Sequence, residues 1–315
     1  MKAARFVITG GAGFIGSHIA EALMTRGESV RIFDNLSTGK EANIAHLSGD
    51  SVEFVSGDLR DADAVRAAIA GAEVVFHQGA LASVPRSIAE PVASLETNIN
   101  GTLNVLLAAR ESGVRRVVYA SSSSVYGDTP TLPKHEAMPT LPMSPYAVQK
   151  LSAEQLCGVF TRIYGLETVA LRYFNVFGPR QDPKSEYAAV IPRFITAMLS
   201  GQRPIVFGDG EQTRDFTYIG NVVQANVLAA DAPDASGFAM NIGYGERVSL
   251  NDVLRITSEI LGTPANADYQ APRAGDVRDS LADISRARQL LGYDPRISFR
   301  EGLAQTIDAM RAQIA

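Results

Sequence analysis

Tryptophan is absent from this chain of 315 residues, and cysteine occurs only once. A single cysteine excludes an internal disulfide and a metal centre built from cysteines. Because Cys157 lies within an apolar helical pattern, we predict that it is a buried structural thiol. No metal site is predicted either, since ligand spacing is absent among His18, His46, His77 and His135.

Long apolar runs are also absent. No segment approaches the roughly 18 residues that a membrane span requires, and the amino terminus leads directly into a strand and glycines rather than a signal peptide. We therefore expect a cytoplasmic protein with no membrane partner. The formal net charge of -5 argues against binding nucleic acid by phosphate neutralisation. It leaves room for one phosphorylated small molecule.

What the sequence does contain is a regular alternation of strands and helices in its first half. Short β-branched runs predict strands over 5–9, 29–34, 52–58, 73–77, 115–121 and 166–175. Helical patterns lie between them over 14–26, 61–70, 92–112 and 146–164. Most strands are apolar on both faces, as in a parallel sheet covered by helices on each side. The pattern predicts the α/β class with a doubly wound parallel (Rossmann) sheet.

Beyond Asn175 this alternation gives way to short elements separated by prolines and glycines. Helical patterns return over 220–230, 249–261, 283–291 and 299–312. We predict a smaller α/β lobe over the carboxyl edge of the sheet, where ligands of open α/β sheets bind. The predicted dinucleotide domain comprises 1–174 plus about 216–244, and the predicted substrate lobe comprises about 175–215 plus 245–315.

The stretch VITGGAGFIGSH places four glycines between the first strand and the first helix. This spacing allows a tight turn, close approach of a pyrophosphate to the backbone, and close packing of helix on strand. Asp34 ends the second strand, where a carboxylate can bind the ribose diol of NAD and would repel the 2′-phosphate of NADP. The alternative is a glycine turn without a ligand. The strand before, the helix after and Asp34 together favour an NAD site.

Two further stretches, ASSSSVYG at 120–127 and SPYAVQK at 144–150, carry candidate catalytic groups. Tyr146 and Lys150 are four residues apart, so they share one face of a helix that Pro145 can begin. A neighbouring ammonium and the positive charge of a nicotinamide would favour the phenolate and make Tyr146 a usable base near neutral pH. A serine hydroxyl at the sheet edge can orient a substrate hydroxyl. The alternatives are a solvated lysine after a packed tyrosine, and a plain serine turn.

With these motifs the chain resembles the extended short-chain dehydrogenase/reductases, and within them the nucleotide-sugar epimerase/dehydratase group. The resemblance covers essentially the whole chain and rests on TGGAGFIGSH, FDNLSTG, GDLRD, NINGTLNVL, ASSSSVYGD, SPYAVQK, LRYFNVFGPRQ, GDGEQTRDFTYI and GDVRDSLADISRARQLLGY. Within the group, the chain is most similar to UDP-N-acetylglucosamine and UDP-glucose 4-epimerases. The resemblance implies a Rossmann fold, NAD as the cofactor and a UDP-sugar as the substrate.

The resemblance also implies roles for individual residues. Tyr146 would be the general base, Lys150 would hold the cofactor ribose, and a serine of the run would complete a triad. Ser122 is favoured by its spacing to VYG, and the other serines of the run stay open as alternatives. The residues implied to bind NAD, besides Lys150, are Gly10, Gly13, Phe14, Ile15, Gly16, Asp34, Asn35, Ser37, Gly39, Asp58, Leu59, Gln78, Ala80, Asn98 and Tyr173. Those implied to contact the nucleotide sugar, besides Tyr146, are Ser123, Ser124, Asn175, Arg214, Arg273, Asp276 and Ser280.

One departure within the family bears on the reaction. Dehydratases and decarboxylases of the group carry an acidic residue just before VYG, whereas this chain has Ser123 and Ser124 there. The resemblance therefore implies epimerisation at C4: hydride leaves C4, the 4-keto sugar turns over, and hydride returns to the opposite face. At the position of Ser280 a bulky aromatic restricts family members to plain hexoses. A small residue leaves room for an N-acetyl group, although a solvent-facing serine without a role is the alternative.

We therefore predict interconversion of UDP-GlcNAc and UDP-GalNAc, with UDP-glucose and UDP-galactose as candidate further substrates. UDP-glucuronate 4-epimerase is an alternative, since that subgroup also carries ASSSSVYG. A non-catalytic NAD-bound sensor is a second one, which the retention of both Tyr146 and Lys150 disfavours. Homodimers are usual in the family, and the apolar stripes of helices 92–112 and 146–164 could form a four-helix interface. The same stripes could serve the domain's own core.

Overall fold

The computed structural model of the chain describes residues 4–183, 189–271 and 278–314. Its strands are β1 Phe6–Thr9, β2 Val30–Asp34, β3 Val52–Ser56, β4 Val74–His77, β5 Arg116–Ser122, β6 Glu167–Tyr173, β7 Val176–Phe177, β8 Ile205–Phe207, β9 Thr213–Arg214, β10 Thr217–Tyr218, β11 Ala239–Ile242, β12 Val248–Ser249 and β13 Asp268–Gln270. Its α-helices are α1 Phe14–Thr25, α2 Ala62–Ile69, α3 Val84–Ala89, α4 Pro91–Leu95, α5 Gly101–Glu111, α6 Pro145–Tyr164, α7 Val190–Leu199, α8 Ile219–Asp231, α9 Leu250–Leu261, α10 Ser285–Leu291 and α11 Phe299–Ile314. Among these helices, none is both long enough and apolar enough to cross a membrane.

Seven parallel strands form the central sheet in the order β3-β2-β1-β4-β5-β6-β11. Both faces of the sheet are buried: Phe6 and Ile8 of β1 contribute to one apolar core, and Val7 contributes to the other. The strand order reverses between β1 and β4, which pair directly. The loops after these two strands therefore open a crevice at the carboxyl edge of the sheet. This arrangement confirms the predicted fold class.

The predicted strands of the sheet are found within two residues of their predicted ends, but the helices differ in two ways. The single helix predicted over 92–112 is divided into α4, a π-helical turn at Glu96–Asn100, and α5. In addition, the sequence did not indicate α3 or α7. Pro192 indicates a break in the sequence, yet it lies in the first turn of α7, where its missing N–H has no intrahelical partner to lose.

Part of the segment 216–244 joins the sheet. β11 pairs in parallel with β6, and Arg116 of β5 donates to the carbonyls of Ala229 and Ala232 at the end of α8, at 2.9 and 2.7 Å. These contacts support the assignment of 216–244 to the dinucleotide domain. The division of the chain into two domains stays a prediction.

Candidate functional site

The turn between β1 and α1 brings backbone segments into very close contact. A Cβ on Gly16 would lie 2.3 Å from the carbonyl oxygen of Gly10, and one on Gly10 would lie 2.5 Å from Cα of Gly79. Gly13 differs, because among the described residues its Cβ would meet only the oxygen of Gly10, at 3.1 Å. Gly10 and Gly16 therefore serve the protein's own packing, whereas Gly13 leaves room in front of α1.

The amino terminus of α1 lies beside that open space. Gly13 precedes the helix, and no side chain of the described residues caps its first turn. The N–H groups of Phe14, Ile15 and Gly16 therefore have no partner within the helix and carry its positive partial charge. Open space next to uncapped amides fits the pyrophosphate of a dinucleotide.

Asp34 ends β2 with only 8% of its surface exposed. Its carboxylate accepts hydrogen bonds from the N–H groups of Ala12 and Leu36, at 3.0 and 2.8 Å, while burial raises its pKa. A Cβ on Gly39 would lie 2.9 Å from both carboxylate oxygens, so a larger residue would crowd them. Each oxygen has a second lone pair, which suits a ribose hydroxyl.

Asp58 and its neighbours follow β3 at the outer end of the crevice. The carboxylate of Asp58 accepts hydrogen bonds from Asn35 Nδ2 at 2.9 Å and from the guanidinium of Arg60. The hydrogen bonds from Arg60 hold the pKa of Asp58 well below its usual range. Asn35 also accepts from the N–H of Ser37 at 3.0 Å. Leu59 is buried against Gly101, where a Cβ would lie 2.8 Å from the leucine. Beside this group opens a depression of about 510 Å³, lined by Asp58, Arg60, Asp61, Glu96 and Asn100.

The predicted NAD residue Asn98 directs its amide into the protein. Its Oδ1 accepts from the N–H of Leu81 at 2.8 Å, and its Nδ2 lies 3.2 Å from the Leu81 carbonyl and 2.8 Å from Gln149 Oε1. Asn98 thereby fixes the loop after β4, which carries Gln78 and Ala80. Its role toward a ligand is to shape the loop rather than to offer a free amide.

Tyr173 is bonded within the protein in the same way. Its hydroxyl lies 3.1 Å from Gln78 Oε1 and 2.9 Å from Asn226 Oδ1. Gln78 also donates to Asn226 at 3.1 Å, so the three side chains form one group at the ends of β4 and β6. Asn226 was not among the sequence candidates.

The structure brings Tyr146 and Ser122 together at the carboxyl edge of β5. Tyr146 lies in the first turn of α6, which Ser144 caps by accepting from the N–H of Ala147 at 3.1 Å. Ser122 is the side chain whose hydrogen bonding acts to lower the pKa of Tyr146. The other serines of the run are placed differently: Ser124 bonds to Ser122 at 2.9 Å, whereas Ser121 points into the protein interior.

Lys150 lies one turn further along α6 and is 4% exposed. Its Nζ donates to the carbonyl of Ala120 at 2.7 Å and lies 5.9 Å from the centre of the Tyr146 ring. Burial lowers the pKa of Lys150 to about 8 and raises the pKa of Tyr146 to about 12, although the bond from Ser122 acts in the opposite direction on Tyr146. In the protein alone, therefore, Lys150 does not make Tyr146 a base near neutral pH. The prediction that Tyr146 is a phenolate near neutral pH then depends on the positive charge of the nicotinamide.

A cavity of about 280 Å³ adjoins Asn175. Four aromatic rings contribute to its wall, from Phe177, Phe194, Phe207 and Phe216. Arg214 also lines it, with Nη1 donating to the carbonyls of Thr213 and Arg278 at 2.9 and 2.7 Å. Aromatic walls beside a fixed guanidinium suit a nucleobase attached to a diphosphate.

Ser280 is buried rather than solvent-facing, with 6% of its surface exposed. Its hydroxyl accepts from Asn175 Nδ2 at 3.1 Å and lies 3.4 Å from the N–H of Asp215. The alternative of a solvent-facing loop serine is therefore wrong. Two other predicted substrate residues, Arg273 and Asp276, lie outside the described residues.

Sequence reasoning missed several residues that connect the two sides of the crevice. Arg180 reaches α1, where it contacts Glu21 and lies 3.4 Å from Ser17 Oγ, and Asp182 pairs with Lys40 at 2.9 Å. The motif FNVFGPRQ contained Arg180 but gave no reason to place it on α1. For Glu154 a signal was available: it follows Lys150 by four residues, as Lys150 follows Tyr146.

Comparison with known proteins places this site in a family. The NAD dependent epimerase/dehydratase family matches residues 6–243. The chain belongs to this family. It is 39% identical over 310 residues to a UDP-glucose 4-epimerase from Mycolicibacterium smegmatis, covering 98% of each chain.

Two solved structures extend the comparison. A UDP-N-acetylglucosamine 4-epimerase from Methanobrevibacter ruminantium, in complex with UDP-N-acetylmuramic acid, superposes with a TM-score of 0.94 at 42% identity, over 99% of this chain and all of that one. A UDP-glucuronic acid 4-epimerase from Bacillus cereus, in complex with UDP-glucuronic acid and NAD, gives 0.91 at 33% identity, over 98% and 99%. These findings confirm the predicted family, NAD as the cofactor and an enzyme of the nucleotide-sugar 4-epimerase class. They do not decide which sugar this chain turns over.

Proposed function

We propose that this enzyme interconverts UDP-GlcNAc and UDP-GalNAc by inverting C4 through a transient 4-keto sugar, and that it also accepts UDP-glucose and UDP-galactose. The observation that carries the proposal is the placement of Tyr146 and Lys150 on one face of α6, with Lys150 Nζ 5.9 Å from the centre of the Tyr146 ring and 2.7 Å from the carbonyl of Ala120 at the end of β5. The uncapped first turn of α1 and the carboxylate of Asp34 would hold NAD beside this pair.

Bound NAD would supply the acceptor and donor of the C4 hydride, so the reaction needs no second substrate. Tyr146 would take the proton of the C4 hydroxyl and later return it. Ser122 would bridge the two hydroxyls, since it already bonds to Tyr146. Lys150, held by the carbonyl of Ala120, would place its ammonium beside the tyrosine and the cofactor ribose.

The preference for an acetamido sugar is supported by Ser280 and its surroundings. Its buried hydroxyl is held by Asn175, which also lines the 280 Å³ cavity. A small side chain next to Asn175 would leave room for the substituent at C2. The similar Methanobrevibacter enzyme is a UDP-N-acetylglucosamine 4-epimerase, which supports the same preference.

UDP-glucuronate 4-epimerase is the second candidate. The serine run supports it, because serine hydroxyls can bind a carboxylate, and the Bacillus cereus enzyme is similar over nearly the whole chain. A non-catalytic sensor would not need the bond between Tyr146 and Ser122.

The cytoplasmic location stays a prediction.

The first test is proton NMR of the purified protein incubated separately with UDP-GlcNAc, UDP-glucose and UDP-glucuronate, with no cofactor added. We expect UDP-GalNAc to form faster than UDP-galactose. Turnover of UDP-glucuronate alone would replace the proposed substrate, and no turnover after addition of NAD would refute the enzyme assignment. In Ser280→Tyr we expect the acetamido sugar to lose turnover selectively, with UDP-glucose as the control for folding.

We also propose that the chain forms a homodimer through α3 to α6. Exposed apolar side chains gather on these helices: Val84, Ile88, Val92, Leu95, Leu107, Val148, Ile163 and Tyr164. Sedimentation should show a dimer for the wild type and a monomer for Val92→Asp. Tyr269→Asp is the matched control, since Tyr269 is an exposed apolar residue on β13. A monomeric wild type would refute the proposed interface.

A further inference from the structure

Three side chains on successive turns of α6 reach three consecutive residues at the end of β5. Tyr146 bonds to the hydroxyl of Ser122, and Lys150 bonds to the carbonyl of Ala120 at 2.7 Å. Glu154, one turn beyond Lys150, accepts from the hydroxyl of Ser121 at 2.6 Å. Helix and strand are thus joined at Ser122 and at both residues before it.

The carboxylate of Glu154 is fixed from a second strand. Arg172 of β6 donates through Nε to Glu154 Oε2 at 3.0 Å and through Nη2 to Oε1 at 2.6 Å. Both residues are buried, with exposed fractions of 9% for Glu154 and 5% for Arg172. The guanidinium also donates to the hydroxyl of Tyr126 at 2.7 Å, so the ion pair has further support behind the serine run.

Stability alone gives a weak reason for this arrangement. Replacing a buried ion pair by well-packed apolar residues of similar volume is often neutral or stabilising. The contact that an apolar pair could not provide is the hydrogen bond that Glu154 accepts from the hydroxyl of Ser121. That bond acts on the residue next to Ser122, in a strand that carries the proposed proton-handling hydroxyl.

We propose that Glu154 is a positioning residue for the epimerisation: anchored by Arg172, it holds Ser121 and thereby fixes Ser122 against Tyr146. The proposal rests on the proposed function. Ser121 and Ser122 share one peptide unit, so a shift of the first moves the second. Misplacement of reacting groups by about 1 Å can lower a rate by about a hundredfold.

The arrangement also predicts a change in pH dependence. The bond from Ser122 lowers the pKa of Tyr146, so loosening that bond raises the pKa. Because kcat falls on the acidic side of its pH profile as the general base becomes protonated, this acidic limb then moves to higher pH. Other titratable groups facing this end of α6 are Lys150 on the same helix, Tyr119 on β5 and His77 on β4. The comparison of variants below leaves all three unchanged.

Ser121→Ala is the deciding variant, because it removes the link to β5 and leaves Glu154 paired with Arg172. We expect kcat to fall by about tenfold or more, with the KM for the UDP-sugar and the NAD content unchanged and the acidic limb moved to higher pH. In Glu154→Gln the acidic limb of the kcat profile should move to higher pH, as in Ser121→Ala. It can fail to fold, however, because it leaves a buried guanidinium uncompensated.

Thr168→Val is the matched control. The hydroxyl of Thr168 on β6 bonds to that of Thr161 near the far end of α6, at 2.8 Å, so this variant also loses one hydroxyl contact between α6 and a strand. We expect its kcat and its acidic limb to match the wild type. The proposal is overturned if Ser121→Ala keeps the wild-type kcat and limb, or if both variants lose kcat equally without moving the limb. A wild type without turnover would refute the proposed function itself, whereas an active wild type with an unaffected Ser121→Ala refutes only the positioning role.

Discussion

On the proposed cofactor side of the crevice the site is made mainly from backbone, whereas on the proposed sugar side it is made from side chains. The β1–α1 turn offers uncapped N–H groups and spaces left by glycines. The proposed sugar side offers the guanidinium of Arg214, the amide of Asn175 and four aromatic rings, which come from separate segments. In the proposed function, Tyr146 and Lys150 act where the two sides meet.

This difference determines what the sequence can reveal. Backbone contacts require particular glycines at fixed short spacing, so the cofactor side is readable from one stretch of the chain. Side-chain contacts require only that residues meet in space. Asn175 and Ser280 are 105 positions apart, and no local pattern relates them.

The largest expected effect lies at the junction of the two sides. Tyr146→Phe removes the group that would exchange the proton, so turnover should fall about a thousandfold. NAD content and UDP affinity should stay at wild-type values, because neither side of the crevice is altered. Initial rates by NMR, together with NAD released from the denatured protein, test this; turnover within tenfold of the wild type would contradict it.

Gly16→Ala tests the backbone-built side. The new Cβ would lie 2.3 Å from the oxygen of Gly10 and 2.8 Å from Cα of Gly11, so the turn must move. We expect a loss of about 1–3 kcal/mol in the free energy of unfolding and loss of NAD during purification. Gly158→Ala on α6 is the matched control: its nearest neighbour is 3.5 Å away, so about 0.5–1 kcal/mol of stabilisation is expected. Equal NAD content in both variants would show that the turn does not hold the cofactor.

Arg214→Lys tests the side-chain-built side. Lysine keeps the charge but cannot reproduce the planar, forked donors of the guanidinium. Loss of one charge-assisted hydrogen bond, roughly 1.5–3 kcal/mol, should weaken binding of UDP by about ten- to a hundredfold in titration calorimetry. NAD content should not change. If Arg214→Lys lost NAD and kept its affinity for UDP, Arg214 would belong to the cofactor side and not to the sugar side.

The last prediction concerns the pH dependence of stability. Lys150 has an ordinary pKa of 10.5 but a pKa of about 8 in the folded protein. Between these values the unfolded state binds more protons, so the free energy of unfolding should rise with pH by at most about 1.4 kcal/mol per unit. Denaturant unfolding of wild type and Lys150→Met between pH 8 and 10.5 isolates this contribution as their difference. A difference independent of pH would mean that burial does not lower the pKa of Lys150.

The sequence predicted the α/β sheet and the glycine turn before α1 well because both depend on local signals. Apolar runs of β-branched residues indicated the buried strands, and glycine spacing indicated the turn before α1. The π-helical turn at Glu96–Asn100 was missed because a one-residue change in hydrogen bonding leaves the apolar pattern nearly intact. α7 was missed because Pro192 indicates a break unless its place in the first turn is known.

The candidate site was predicted less completely than the fold. Tyr146, Lys150 and Ser122 were named from motifs, and the structure brings them together. The burial of Ser280 and the contacts of Arg180 with α1 depend on tertiary packing across more than a hundred positions. The raised pKa of Tyr146 in the protein alone is likewise a property of burial, which a motif does not contain.

The bond from Lys150 to Ala120 has a consequence for how the serine run tolerates mutation. Its acceptor is a backbone carbonyl, which every amino acid provides, so no substitution at position 120 can remove the acceptor. The side chain at position 120 is limited only in its volume, because Ala120 is buried, with 6% of its surface exposed. Positions 121 and 122, by contrast, are used through their hydroxyls. A saturation scan should therefore accept other small residues at 120, whereas only residues bearing a hydroxyl should retain full activity at 121 and 122.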